Sequence, residues 1–548
     1  MDLRIHRARI LYNRFAAEPA HTVTLNAAAQ AAAIYEQLLD DGQRELVAEV
    51  GRMALARGKA LELAASPHEA CDSYQRAVAL LSEAVTKQGV LEAAEDLATA
   101  MKHAATLLCS LDRLHEAAVV ADSAVTLWSS LERADSDRGF DEFLADAHVT
   151  RAVCLLKLSA LPAARTDLGR ALDLFDRMTS ATDTCRVRHA HALMELGGLE
   201  RSSRQPERAV TDYEKALAVL DGIVDREADH VRALVNLNLG NALDELGNLG
   251  AALAAIERSI ASWRQLVTNP REKRRLDDLG FALRAKGNYL MHQGLHAPAL
   301  EAYLEAGAVF EQLVEIDRRH DLAIEYTKLL SATGLALENV GKLEPAYQMF
   351  HRVLENAGSI STEPGNREWL GFISFMKDHI RGVTRLLQMT PDEVPSLCDE
   401  VRQSLANAQQ IGRAGEIRAA LQIYERALTI ASRIVELTRA PAHLALRANV
   451  LMHQGIASMH AGRTAASEAA LRGAVVDLDR AVVLSPDHAQ DWARARLGLA
   501  ACLRMQHDEH GVRQVLQPVL DRRSSWLDRG WKEWRTKAES FLNEPGTP

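Results

Sequence analysis

The chain has 548 residues, too many for one hydrophobic core, so it reads as several domains or as an elongated repeat array. Its 47% hydrophobic and 25% charged residues are ordinary for a folded protein, and 5% aromatics beside abundant Ala and Leu favour closely packed helices over sheet. A net charge of −10 with no basic domain or stripe argues against a nucleic-acid partner.

Six cysteines (Cys71, Cys109, Cys154, Cys185, Cys398 and Cys502) stand alone without a CxxC pair, which fits reduced, buried thiols in a cytoplasmic protein. The opening MDLRIHRARILYNRF lacks the apolar core of a signal peptide, and no stretch of 18 apolar residues occurs, so no membrane span is expected.

In chain order, Met1–Ala17 and Thr24–Leu39 read as two helices, broken at Glu18-Pro19 and closed by Asp40-Asp41-Gly42. Residues 1–42 are expected to cap a stack. From about Gln43 a small residue recurs at Gly58, Ala105, Ala152, Gly197, Gly240, Gly287 and Gly334, at intervals of 47, 47, 45, 43, 47 and 47. It returns after a gap at Ala408, Gly455 and Gly498. A fixed period is the mark of a repeat architecture.

Other positions hold the same phase. Seven residues after the small residue the chain turns, at Gly247, Gly294, Gly341, Gly415 and Gly462. Five further on comes alanine, as at Ala209, Ala252 and Ala299. Four later a larger side chain follows (Tyr74, Tyr213, Ile256, Tyr303, Phe350, Tyr424), and three later a small one again, as at Ala77 and Ala306. Spacings of four and three place these on one helical face, where small residues admit a neighbouring helix and the large one fills the gap.

The phase divides the chain. Residues 43–358 form a first sub-array of about seven repeats, 359–395 an irregular junction with one helix over Asn366–Gln388, and 396–520 a second sub-array of about three repeats. Residues 521–548 form a capping helix carrying Trp526, Trp531 and Trp534, and a tail.

The pattern resembles the tetratricopeptide repeat (TPR) family. Leu239-Gly240, Gly247, Ala252, Ile256 and Ser259 carry the resemblance, repeated by Lys286-Gly287, Gly294, Ala299, Tyr303 and Ala306. It covers roughly 43–360 and 396–520 and is strongest over 230–355. The 47-residue period exceeds the usual one of about 34 and is read as extra helix, as in a long-helix bacterial variant. The resemblance implies an all-α, right-handed superhelical solenoid of antiparallel helix pairs. It also implies a concave groove lined by the first helix of each pair, and capture of a partner there.

No phosphate loop, HExxH, GxSxG or kinase signature occurs, so no catalytic centre, cofactor or metal is expected. His507-Asp-Glu-His510 reads as a solvated turn, and Arg188-His-Ala-His191 as a surface pair. The groove is the better candidate. Residues two before and one after the small position face it, which gives Asn238 and Asn241, with Asn288 repeating the second; asparagine both donates and accepts, as an extended peptide backbone requires. Further candidates are Lys59, Lys102, His103, Arg284, His292, Lys328, Arg402, Gln409 and His453, several of them cations suited to an acidic peptide or a free carboxylate.

The expected function is a non-catalytic scaffold that captures a partner protein or peptide in the groove. Two alternatives stand beside it. One is a TPR-type peptide- or ligand-sensing regulator; the other is an accessory subunit of a bacterial defence or signalling complex whose effector enzyme is encoded separately.

Overall fold

The computed structural model describes residues 3–17, 22–63, 66–134, 140–178, 182–268, 275–359, 367–521 and 529–543. They hold helices and no strand. Two compact units divide the chain, Met1–Leu276 and Asp277–Pro548. No helix among the described residues is long and apolar enough to cross a membrane.

The first unit is six antiparallel hairpins: α1 (Leu3–Ala17) with α2 (Thr22–Asp40), α3 (Val47–Leu63) with α4 (Pro67–Lys87), α5 (Ala94–Ser110) with α6 (Leu114–Ala134), α7 (Asp141–Lys157) with α8 (Leu161–Arg177), α9 (Asp183–Ser202) with α10 (Pro206–Val219), and α11 (Arg226–Glu245) with α12 (Leu249–Val267). The second unit begins with α13 (Leu276–His292), α14 (His296–Glu311), α15 (Ala323–Asn339) and α16 (Leu343–Ser359). A lone helix follows, α17 (Arg367–Leu387), then the pairs α18 (Val394–Arg413) with α19 (Ile417–Thr438), α20 (Pro441–His460) with α21 (Thr464–Leu484), and α22 (Ala489–Met505) with α23 (Glu509–Asp521). Helix α24 (Arg529–Asn543) packs on α22 and α23 and buries Ala538. Trp534 of this helix is part-buried against the terminal core, whereas Trp526 and the Trp531 side chain lie outside the described residues.

Local chemistry sets these boundaries. Pro67, Pro162, Pro206 and Pro441 sit in the first turns of their helices, where a missing N–H costs nothing. The turn between paired helices is left-handed at the same phase in eight successive places. It is glycine at 247, 294, 341, 415 and 462, but Asp112 (φ 59°), Ser159 (φ 59°) and Arg204 (φ 58°) adopt it too.

Inside each hairpin the small residue of the first helix meets the large residue sixteen positions on. The ring of Tyr74 lies against Gly58, Tyr213 against Gly197, Tyr303 against Gly287 and Phe350 against Gly334. A methyl group at Gly58 or Gly197 would sit 2.6 Å from a ring carbon, well inside van der Waals contact. Leu471 does the same against Gly455, at 2.7 Å. Where the small residue is Ala152, the residue at this offset is Leu168, in the same buried cluster. Trp128 of α6 and Trp263 of α12 are buried to within 1%. Each such burial is worth roughly 1.5–3 kcal/mol or more. All six cysteines are free and buried.

The second unit also makes contacts between hairpins distant in sequence. Helix α19 touches α15, and a methyl at Gly294 would lie 3.1 Å from Ala466 at the start of α21. His296 Nε2 lies 3.9 Å from Glu425 of α19. The lone α17 packs on α16 and is tied to α15 by His379–Glu338 at 2.7 Å. It is tied to α19 by Arg433 Nε, which donates to the Leu386 carbonyl at 3.1 Å.

A left-handed residue costs about 1–2 kcal/mol when it carries a Cβ. Arg204→Gly is therefore expected to stabilise the fold by about 0.5–1 kcal/mol. Asp112→Gly should gain less, because aspartate tolerates this conformation. Urea midpoints of the two variants against the wild type check the order.

Candidate partner-binding face

The faces of the first helices carry most of the residues singled out from sequence. Asn238 on α11 is half-buried and has no hydrogen-bond partner among the described residues. Asn241, three residues on, is half-buried and partnered. Asn288 on α13 is committed: its Oδ1 accepts from the Tyr303 hydroxyl at 2.8 Å. That bond locks the ring over Gly287.

The cations are mostly spoken for. Lys102 Nζ donates to Asp146 Oδ1 at 3.0 Å, across from α5 to α7. Arg284 of α13 pairs with Glu325 of α15 at 2.5 Å and lies 5.4 Å from the Phe281 ring centroid. Lys328 reaches the same Glu325 at 2.9 Å, and Arg402 pairs with Asp399 at 2.7 Å. His103 stacks on Tyr74, with 5.1 Å between ring centroids. Lys59 is exposed and in no ion pair among the described residues, while His292 is exposed and partnered. The Gln409 amide donates to His453 Nε2 at 3.0 Å. These side chains therefore do not form one cationic strip. Lys102, Arg284, Lys328 and Arg402 each pair with a carboxylate of their own helix or of the facing helix, which neutralises most of the face's cations; Lys59 is the exception among them.

The structure brings together a cluster that the sequence reading did not name. On α9, His191 and Glu195 stand beside the Lys102–Asp146 pair, with His191 Nε2 3.6 Å from Glu195 Oε1. Arg188 pairs with Glu142 of α7 at 3.3 Å. The 188–191 segment, expected at the surface, is half-buried because it lies on the turns of α9 that pack against α7. Burial opposes ionisation of Asp146, yet Lys102 and Arg188 overcome it and hold its carboxyl below the usual range. Burial pushes the Glu195 carboxyl up to about 7, only partly offset by Lys102 and Lys157. Burial, then Lys102, pulls the His191 imidazole down to about 4. Three buried polar atoms here lack a hydrogen bond: His191 Nδ1, the Tyr213 hydroxyl, and Arg188 Nη1, which has only its ion pair with Glu142. Tyr213 lies over Gly197 in the Tyr303 manner, but Gly198 stands where Asn288 caps the other ring. The signal for Glu195 was present in the chain: it stands two before Gly197, in phase with Asn238 and His103.

The hairpin, its small-to-large contact, its turn and its stacking define this chain as a TPR-like array of antiparallel helix pairs. No family model matches the sequence. No curated protein matches it. Among solved structures it is similar to a Rap protein complexed with Competence and Sporulation Factor, at 14% identity and TM-score 0.39 over 71% of this chain and 99% of that one. A STAND signal-transduction ATPase with a TPR sensor from Pyrococcus horikoshii is similar at 13% identity and TM-score 0.37, over 74% of this chain and 54% of that one. A TPR protein from Parabacteroides merdae is similar at 12% identity and TM-score 0.30, over 60% of this chain and 98% of that one. The assignment rests on the repeat geometry.

The buried imidazoles give the fold a pH signature. Burial pulls His296 down to about 4, helped by Arg463, and His453 to about 4, helped by Arg494 and Arg413. The unfolded chain protonates these groups near 6.5 while the folded chain resists until about 4, so stability falls as pH drops through that window. Glu195 acts oppositely, since its raised carboxyl loses its stabilising proton as pH rises from about 4.5 toward 7, and Glu425, also raised by burial, acts in the same direction. His296 faces Glu425 and Arg463. His296→Gln is expected to lessen the acid loss between pH 6.5 and 5 by about 1–2 kcal/mol. Urea unfolding at the two pH values measures it.

Proposed function

We propose that this chain is a non-catalytic interaction scaffold that captures an extended segment of a partner protein on the first-helix face of its first unit. The observation that carries the reading is the polar row along α9 and α11. Asn238 there has no described partner, His191 keeps a bare Nδ1, and Glu195 has a carboxyl held near 7. Of these, His191 Nδ1 is buried and unbonded, and a polar atom so placed costs about 1–3 kcal/mol. A segment that supplied the missing bonds would recover that cost on binding.

The chemistry favours a donor-rich segment. Lys102, Arg284, Lys328 and Arg402 are already paired with carboxylates, whereas among the described residues Glu195 has only a histidine within ion-pair distance, at 3.6 Å. A backbone N–H, or a lysine or arginine of the partner, would complete it. An acidic segment would find few free cations.

One observation favours a second reading, a regulator whose shape responds to its ligand. In the second unit α19 covers part of α15, and His296 meets Glu425 from a distant hairpin. A partner seated on the first-helix face of α13 and α15 would have to open these contacts. Hydrogen exchange at residues 290–300 and 420–430 would rise on partner binding if this holds, and stay unchanged if the face of the first unit acts alone.

The scaffold reading is tested with the purified chain immobilised as bait and captured proteins identified by mass spectrometry. The captured partner is then titrated against Glu195→Ala with Asn238→Ala. A loss of affinity of at least about tenfold, roughly 1.4 kcal/mol, is expected with helicity unchanged. Equal affinity of the double variant would refute the assignment of this face.

A further inference from the structure

Behind the first-helix face, a cavity of about 240 Å³ opens between α2, α3 and α4. That is about eight waters' share of liquid volume at about 30 Å³ each, below the range of drug-sized pockets. It has room for a metabolite of amino-acid size. Its apolar wall is Val50 and Met53 of α3. Its polar lining includes Arg57 of α3 and Ser73 of α4. Ser73 is 4% exposed, and its hydroxyl is buried without a hydrogen-bond partner.

The repeat itself shows what is missing. Arg151 stands one residue before its small residue, Ala152, and Asp167 stands fifteen after it. Arg151 donates to both Asp167 oxygens at 2.7 Å, and to Asp122 at 2.7 Å. In the α3–α4 hairpin the same two positions are Arg57 and Ser73. The arginine is kept and its carboxylate is gone. Arg57 is half-buried and forms no ion pair among the described residues. The cavity's Glu36 does not serve it, because Arg76 binds that carboxylate, Nε to Oε1 at 2.8 Å. An arginine in this place is built to hold a carboxylate in two parallel bonds. At the rim Glu69 and Asp72 are exposed and in no ion pair among the described residues.

We propose that this cavity binds a free α-amino acid, its carboxylate on Arg57 and the Ser73 hydroxyl, its ammonium toward Asp72 and Glu69. The apolar wall selects an aliphatic or thioether side chain. The ligand's carboxylate takes the place that Asp167 fills beside Arg151. The site is separate from the partner-binding face, so its failure would leave that reading untouched.

The test uses the full chain and three probes, L-leucine, L-methionine and N-acetyl-L-leucine amide, followed by isothermal titration calorimetry and thermal melting. The two free amino acids are expected to bind with a Kd of about 1 mM or tighter and to raise the melting temperature. The blocked amide, which lacks both charges, is expected not to bind. Ser73→Asp rebuilds the Arg151–Asp167 arrangement within the chain. It should melt no lower than the wild type and weaken amino-acid binding at least tenfold, and Arg57→Gln should weaken it likewise. No binding of either free amino acid, equal binding of the blocked amide, or wild-type binding by Ser73→Asp would each overturn the proposal.

Discussion

A glycine under an aromatic ring sets the geometry of this protein. In four hairpins the ring of a second-helix tyrosine or phenylalanine lies so close to a first-helix glycine that even a methyl group has no room. The pair is sixteen residues apart in each of the four, and in three of them a left-handed residue (Arg204, Gly294 or Gly341) turns the chain between the two helices. The contact fixes how closely the two helices approach. It thereby fixes where the rest of the first helix points: one side into the hairpin, one toward neighbouring hairpins, and one to the face that remains. Size is traded within the pair. Glycine accepts a ring, and Ala152 is matched with Leu168. Ala408 with Tyr424 keeps the offset but not the trade.

Because hairpins stack at a fixed offset, side chains of successive first helices meet in register, and charge follows. Arg52 reaches Asp96, Lys102 reaches Asp146 and Arg284 reaches Glu325, each from one first helix to the next. Exposed pairs of this kind contribute little stability, on the order of 0–1 kcal/mol, but they decide what the face offers a visitor. What remains unspent is the set around α9 and α11, where Glu195, His191 and Asn238 are packed without full partners. The Arg151–Asp167 clamp and its incomplete counterpart at Arg57 show the same logic on the other side of the first helices.

Much of the fold was legible because the repeat is written in glycine and alanine, residues whose main property is small size. Period, hairpin order and the glycine turns all follow from it. The left-handed turns at Asp112, Ser159 and Arg204 were not legible, since nothing in those side chains demands the conformation; the stack imposes it. The site was legible in phase but not in charge state. Asn238 and Glu195 both follow from counting back two from the small residue, yet only the structure shows that Lys102 and Arg284 are consumed by carboxylates one repeat on. The approach of His296 to Glu425 had no signal at all, because a contact across 129 residues between unlike hairpins leaves no period.

The measurement that bears most directly on this account is a double-mutant cycle across Gly197 and Tyr213. Gly197→Ala alone should cost about 1–3 kcal/mol in urea unfolding, by overpacking against the ring. In a Tyr213→Leu background the same change should cost at least about 1 kcal/mol less, giving a clear coupling energy. Costs that add to within about 0.3–0.5 kcal/mol would show that glycine and ring do not constrain each other, and would contradict the claim that this contact sets the hairpin.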